Sequence, residues 1–252
     1  MPRTGRIKSK SGIYHIVMRG INKQTIFEEE EDSLIFLETL KKYQEKNGYK
    51  IYGYCLMGNH IHLLIKEEEE ALEIIMRRIG ASYVYWYNLK YNRYGHLFQD
   101  RYKSEVVEDE SYFLTVLRYI HQNPVKAGIA ADAANYNWSS YNEYVGKRAI
   151  VDTDFALRIF SSDREKALES FKTSHQISSD DLCLDVSENK RLTDKIAVEI
   201  IKQKCRVNHC SEIQSVEKDQ RDRYLKFLKE EGLSTRQIAR LTGISRGIVS
   251  KA

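Results

Sequence analysis

No apolar run in this chain approaches the roughly 18 residues of a membrane span. The basic residues at the N-terminus are not followed by the apolar segment of a secretory signal. Membrane insertion and export are therefore not expected, and a cytoplasmic location is. Cysteine is sparse: Cys55, Cys183, Cys205 and Cys210 are scattered and read as reduced thiols. Cys205, His209 and Cys210 match no common zinc spacing and have no evident fourth ligand. Proline is rarer, with 2 residues against 17 tyrosines. Acidic residues are missing from positions 1 to 27, which carry Arg3, Arg6, Lys8, Lys10, Arg19 and Lys23. A basic arm without counter-charges suits phosphate contacts, although an ordinary soluble tail looks the same.

What is present describes a soluble globular protein. The chain has 252 residues, 42% hydrophobic and 30% charged, with a net charge of +4. That length fits a domain of ordinary size plus an appendage. Aromatic side chains interleaved with lysine and arginine suit stacking on unpaired bases, and they suit any core as well.

Periodicity orders the first half. Gly12 to Arg19 reads as a strand ended by Gly20. Residues 30 to 47 carry Leu34, Ile35, Leu37, Leu40 and Tyr43 at helical spacing, with acids first, lysines last and Gly48 as the stop. Tyr49 to Met57 and His60 to Lys66 form two antiparallel strands around a tight Gly58-Asn59 turn. A long helix follows over about 68 to 92, then an extended segment from His96 to Val107. The next helix runs from about Asp109 to Gln122, with Phe113, Val116, Leu117 and Ile120 as its buried stripe. Pro124 disfavours helix at Asn123, so the helix is expected to end there. From residue 150 onward strands disappear and the pattern turns helical. Ser234 and Ser245 cap two short helices around Gly243, at the spacing of a helix-turn-helix within about 220–252. The chain stops inside the second of these helices, so a full recognition helix is expected to need more residues. The expected domains are 1–150 and a helical region 151–252.

Three features carry chemistry. His60 and His62 alternate with Ile61 and Leu63, so both imidazoles project from one strand face about 7 Å apart and can share one divalent cation. Two imidazoles facing solvent would read identically. Tyr119 lies about 100° off the buried stripe of its helix, on the flank with Tyr112 and Asn123. Asn123 is one turn further along and can reach the same place as an oxygen donor. His121, though adjacent, points elsewhere. Together with a basic arm and a DNA-reading module, these parts point to phosphoryl transfer on DNA. A cation on the histidine pair would offset charge on a phosphodiester, and the phenol would attack it.

At this point four separated motifs resemble one family. His60-Ile61-His62 resembles the histidine-hydrophobic-histidine (HUH) motif of single-tyrosine transposases. Leu117 to Gly128 (LRYIHQNPVKAG) resembles the tyrosine motif of their REP-associated branch, as do His96 to Ser104 and Arg19-Gly20-Ile21-Asn22. The resemblance covers about residues 1 to 145. It implies an α+β fold, a ferredoxin-like antiparallel sheet covered by helices, ahead of the all-helical C-terminal region. It implies Tyr119 as nucleophile, His60 and His62 as metal ligands, and Mg²⁺ or Mn²⁺ as cofactor. The implied substrate is single-stranded DNA with a palindromic hairpin, cut to leave a 5'-phosphotyrosine. Relatives place a Gln four residues after the nucleophile as a further ligand. Here that position is Asn123, one methylene shorter, with Gln122 as the alternative. Arg3, Arg6, Lys8, Lys10, Arg19, Arg101, Lys103, Arg246 and Lys251 are the candidate DNA contacts. A homodimer is left open, and no membrane partner is expected. The competing reading is a non-catalytic, sequence-specific DNA-binding regulator derived from such an enzyme.

Overall fold

A computed structural model describes residues 7–146, 148–177, 183–185 and 194–251 of the chain. Its first unit is built on β1 (Ile13–Arg19), α1 (Glu30–Asn47), β2 (Lys50–Met57), β3 (His60–Lys66), α2 (Leu72–Lys90) and β4 (Lys103–Val106). The sheet order is β2-β3-β1-β4, with every neighbouring pair antiparallel. That order is the ferredoxin-like arrangement, so the expected fold class holds.

Local chemistry sets these elements. α1 starts at a capping box in which Asp32 Oδ2 accepts from the backbone N–H of Glu29 at 3.0 Å. It stops at Gly48, whose φ of 70° is left-handed. Lys90 and Tyr91, at the end of α2, both bind the Asp32 carboxylate, each at 2.8 Å. The two helices thus share one face of the sheet, where the Phe36 and Tyr83 rings meet edge to face at 5.1 Å.

The other face takes α3 (Glu110–Lys126), which crosses the sheet at Gly53. A Cβ built there would stand 2.8 Å from Leu117 Cδ1, so any other residue would force that methyl to shift. α3 begins at Asp109, whose carboxylate accepts from Tyr112 N at 2.8 Å. It does not end at Asn123 as expected but runs through Pro124 to Lys126. Proline this near a C-terminus costs a single helical N–H. Ala127 N still reaches Asn123 O at 2.9 Å, and the Pro124 carbonyl accepts from Ile129 N at 2.8 Å. Burial of Phe113, Val116, Leu117 and Ile120 on the sheet outweighs the local preference. The expected extended segment His96–Val107 is regular only in β4; before it, Phe98 makes an isolated bridge to Gly20.

α4 (Tyr141–Val145), α5 (Thr153–Phe160) and α6 (Arg164–Gln176) complete this unit. The chain divides into two compact units, residues 1–186 and residues 187–252. The sequence pattern places the boundary at 150. α5 and α6 nevertheless pack into the first core, with Phe155 at 4.9 Å from the Tyr52 ring and Phe171 stacked on Tyr144 at 4.6 Å. The second unit contains α7 (Asp194–Cys205), α8 (Lys218–Glu230), α9 (Thr235–Thr242) and α10 (Arg246–Lys251) around its own core of Ile201, Leu225, Leu228, Ile238 and Val249. Ser234 Oγ accepts from Gln237 N at 3.1 Å to start α9, and Gly243, at φ 76°, turns the chain toward α10.

Candidate active site

Antiparallel register decides which side chains share the α3 side of the sheet. On β3, His60, His62 and Leu64 face it; on β1, their cross-strand partners are Arg19, Val17 and His15. On β4, Glu105 stands opposite His15 and Lys103 opposite Val17. Three imidazoles, a carboxylate and two cationic side chains therefore lie on one face, under α3.

The two motif histidines are close, with ring centroids 5.1 Å apart and planes at 79°. His60, at the start of β3, is partly buried, and its Nδ1 pairs with Asn59 Oδ1 at 2.6 Å. His62 is fully buried. Its Nδ1 meets His15 Nε2 at 3.0 Å, whereas its Nε2 is buried with no hydrogen-bond partner among the described residues. Burial lowers the pKa of all three rings, His62 most clearly, so each is neutral at physiological pH. A neutral ring with an unpartnered nitrogen is the form that ligates metal.

α3 brings Tyr119 onto this cluster. Its ring meets that of His62 at 5.7 Å and that of His15 at 5.9 Å, both edge to face. The flank position expected for Tyr119 is in fact interior: the residue is 5% exposed. Burial raises its pKa above the ordinary tyrosine value. The charge of Asp185, which hydrogen-bonds the phenol, raises it further, and Asn123 pulls the other way. Lys126, two turns along α3, holds Nζ 5.1 Å from the Tyr119 ring centre.

The remaining candidates divide. Asn123 is buried beside Tyr119, and its amide donates to the Tyr119 carbonyl at 3.0 Å. Gln122 faces α6 instead, donating to His175 O and Ile177 O at 2.9 and 2.8 Å, so it is not on the histidine side. His121 is likewise engaged elsewhere, with Ser140 Oγ at 2.7 Å and His175 Nε2 at 2.9 Å. Arg19 ends β1 beside His60, with Nε buried and without a hydrogen-bond partner among the described residues. Lys8, Lys10, Arg101 and Lys103 are exposed in the same unit, and Lys10 N donates to Glu108 Oε1 at 3.0 Å. Arg246 and Lys251 are exposed on α10 of the second unit. Arg3 and Arg6 lie outside the described residues.

His15, Glu105, Lys126 and Asp185 join the site without having been expected there. His15 carried a signal, as the one ionisable side chain inside the run Ile13 to Met18 apart from a tyrosine. Lys126 carried another, seven residues and two helical turns after Tyr119. Glu105 needed the strand register, and Asp185 had no local signal at all.

Could this site hold a divalent cation? Among the described residues no three His, Cys, Asp or Glu side chains are arranged to hold a metal. The His60 and His62 pair fits two positions of a coordination sphere, with the orphaned His62 Nε2 as the better-defined donor. Further ligands must be oxygen from an amide, water or a substrate.

Comparison with known proteins bears on the family and the fold. Residues 8–123 match the family model "Transposase IS200 like". That segment contains β1 to β4, both motif histidines, Tyr119 and Asn123. No curated protein matches the chain. Among solved structures, a REP-associated tyrosine transposase bound to a REP hairpin superposes with a TM-score of 0.52 at 17% identity, covering 61% of this chain and 90% of that one. A protein of Deinococcus radiodurans R1 described as a transposase gives a TM-score of 0.35 at 14% identity, over 48% of this chain and 97% of that one. The hairpin-bound structure shares the ferredoxin-like fold seen here. Similarity over residues 8–123 thus points to the IS200-like (Y1) transposase family.

Proposed function

We propose that the chain is a metal-dependent endonuclease and strand transferase acting on single-stranded DNA that carries a hairpin. In this reading the Tyr119 phenol gives up its proton to solvent as Oη attacks the scissile phosphorus, an Oη–P bond forms and the P–O3' bond breaks. The 3'-oxygen leaves and takes up a proton, and the 5' end stays on the enzyme as a phosphotyrosine. A different 3'-hydroxyl then reverses the step, giving up its proton, so joining needs no ATP. His60 and His62 would hold Mg²⁺ or Mn²⁺, with Asn123 as a further oxygen donor. The ion would supply charge neutralisation at a non-bridging phosphate oxygen. Arg19 and Lys103, on the same face as the histidines, would contact the backbone of the strand beside the break. Arg101, Lys8 and Lys10 would extend that path. Arg246 and Lys251 on α10 would serve a helix-turn-helix that contacts DNA separately.

One observation carries the reading: a buried tyrosine packs edge to face on a histidine whose Nε2 has no hydrogen-bond partner among the described residues. The hairpin bound by the structural neighbour supports the choice of substrate. The test is to incubate a 5'-labelled and a 3'-labelled hairpin strand with the full chain and Mn²⁺ or Mg²⁺, then separate on a denaturing gel. A covalent protein–DNA adduct that disappears in Tyr119→Phe is expected. Binding without any adduct under either ion would instead identify the regulator.

A further inference from the structure

Behind His62 stand two side chains that the proposed chemistry does not use. His15 Nε2 lies 3.0 Å from His62 Nδ1, with the rings stacked at 5.3 Å between centroids. On the far side of His15, Nδ1 faces Glu105 Oε2 at 3.7 Å. At that distance the contact is electrostatic rather than a formed hydrogen bond. That ring nitrogen has no hydrogen-bond partner among the described residues. The row crosses three strands, β3, β1 and β4. His62 and His15 are diagonal neighbours, and His15 and Glu105 are directly opposed. Glu105 is itself fixed, since Oε2 accepts from Leu184 N at 3.0 Å and its carboxylate also takes the Tyr112 hydroxyl.

Proton bookkeeping gives this row a direction. A neutral imidazole has one N–H and one lone pair. A carboxylate beside His15 Nδ1 favours the proton on that nitrogen. His15 Nε2 is then an acceptor, so the only hydrogen bond available to the pair has His62 donating from Nδ1. That leaves the lone pair of His62 on Nε2, the nitrogen with no hydrogen-bond partner among the described residues. We infer that Glu105 and His15 are positioning residues that fix His62 as the Nδ1–H tautomer, with its Nε2 lone pair turned to the cation. Neither touches the reacting atoms. His15 also packs edge to face on the Tyr119 ring, and both residues act on the cation through the orientation and proton of His62, the task a carboxylate behind a metal-bound histidine performs. This inference rests on the proposed ligand role of His62.

Two measurements on the full chain test it. Long-range proton–nitrogen NMR reports which nitrogen of His62 carries the proton. Calorimetric titration with Mn²⁺ alone reports affinity without substrate or turnover. Wild-type protein is expected to show His62 as Nδ1–H. His15→Phe and Glu105→Leu are expected to populate the Nε2–H form of His62 and weaken Mn²⁺ binding about 10- to 100-fold. His15→Gln, whose amide oxygen can accept from His62 Nδ1–H, is expected to recover most of the affinity. Should His15→Phe not fold, Glu105→Leu carries the test, because its side chain is 34% exposed. Wild-type His62 protonated on Nε2, or Mn²⁺ affinity and tautomer unchanged in Glu105→Leu, overturns the inference. His62 found as Nδ1–H in protein that binds no Mn²⁺ overturns the metal reading while the relay stands.

Discussion

A buried phenol with a carboxylate against it resists ionisation, and Tyr119 is such a phenol. Each pKa unit above the ordinary tyrosine value removes about nine-tenths of the phenolate at a given pH. Burial cannot be relieved by one substitution, but the charge of Asp185 can. Asp185→Asn removes that charge and weakens a hydrogen bond that holds the proton on the phenol. Adduct formation at neutral pH is therefore expected to speed up, by as much as about tenfold for each unit by which the Tyr119 pKa falls. Single-turnover gels over a pH series measure this, and an unchanged rate would show that the Asp185 charge does not govern the nucleophile. His121, two residues after the tyrosine, illustrates the opposite use of burial. His175 Nδ1 donates to the Phe171 carbonyl at 2.8 Å, so His175 Nε2 accepts from His121 Nδ1 and His121 Nε2 accepts from the Ser140 hydroxyl. That chain is satisfied with both rings neutral. Burial holds both pKa values down, His175 at about 4 against an ordinary 6.5. As pH falls below 6.5 the unfolded chain takes up protons that the folded one refuses. Stability is thus complete above about 6.5 and declines toward pH 4, by about 2 kcal/mol at pH 5 from His175 alone. Urea midpoints at pH 7 and pH 5, in wild type and in His175→Leu, read out the difference. The variant should lose part of the slope between them.

The seat of α3 on the sheet sets where its tyrosine falls, and Gly53 sets that seat. Gly53→Val would push branched methyls into Leu117, whose Cδ1 already stands 2.8 Å from a Cβ position. Overpacking of this kind costs about 1–3 kcal/mol. Because Leu117 and Tyr119 share the helix, Gly53→Val is expected to lower the urea midpoint and slow adduct formation together. Loss of stability alone would mean that the helix yields without moving the tyrosine. At this scale local pattern served well where burial follows a fixed period. The hairpin around Gly58-Asn59, the one-sided His60 and His62, and α1 between its acids and Gly48 all follow from spacing of two or about 3.6 residues. Patterns failed where tertiary contacts decide. α3 passes Pro124 because its apolar stripe is already seated, a fact no neighbour of the proline reveals. Phe155 and Phe171 look like ordinary helix residues, yet they fill space between α3, α4 and β2, which carries the first unit past residue 150. Glu105 and His15 are 90 positions apart in sequence and meet only through the β1–β4 register.

The whole molecule pairs a folded sheet unit, which carries the candidate active site, with a small helical unit that has its own core. A net charge of +4 is too small to hold DNA by bulk attraction, so any affinity must come from local groups of cations. The two units offer different groups: Arg101 and Lys103 in the first, Arg246 and Lys251 in the second, all exposed. Each lysine or arginine that neutralises a phosphate releases condensed counterions. The plot of log affinity against log salt therefore steepens by about 0.7 per contact on a single strand and about 0.9 on a duplex. If the sheet unit grips the strand to be cut, Arg101→Ala with Lys103→Ala should flatten the single-strand slope by about 1.4 and leave the duplex slope alone. If α10 reads duplex, Arg246→Ala with Lys251→Ala should flatten the duplex slope by up to about 1.8 and spare the single-strand one. Fluorescence anisotropy from about 50 to about 300 mM salt, with one labelled hairpin strand and one labelled duplex, resolves the two slopes. Equal losses on both ligands from either pair would mean that the units do not divide the DNA between them.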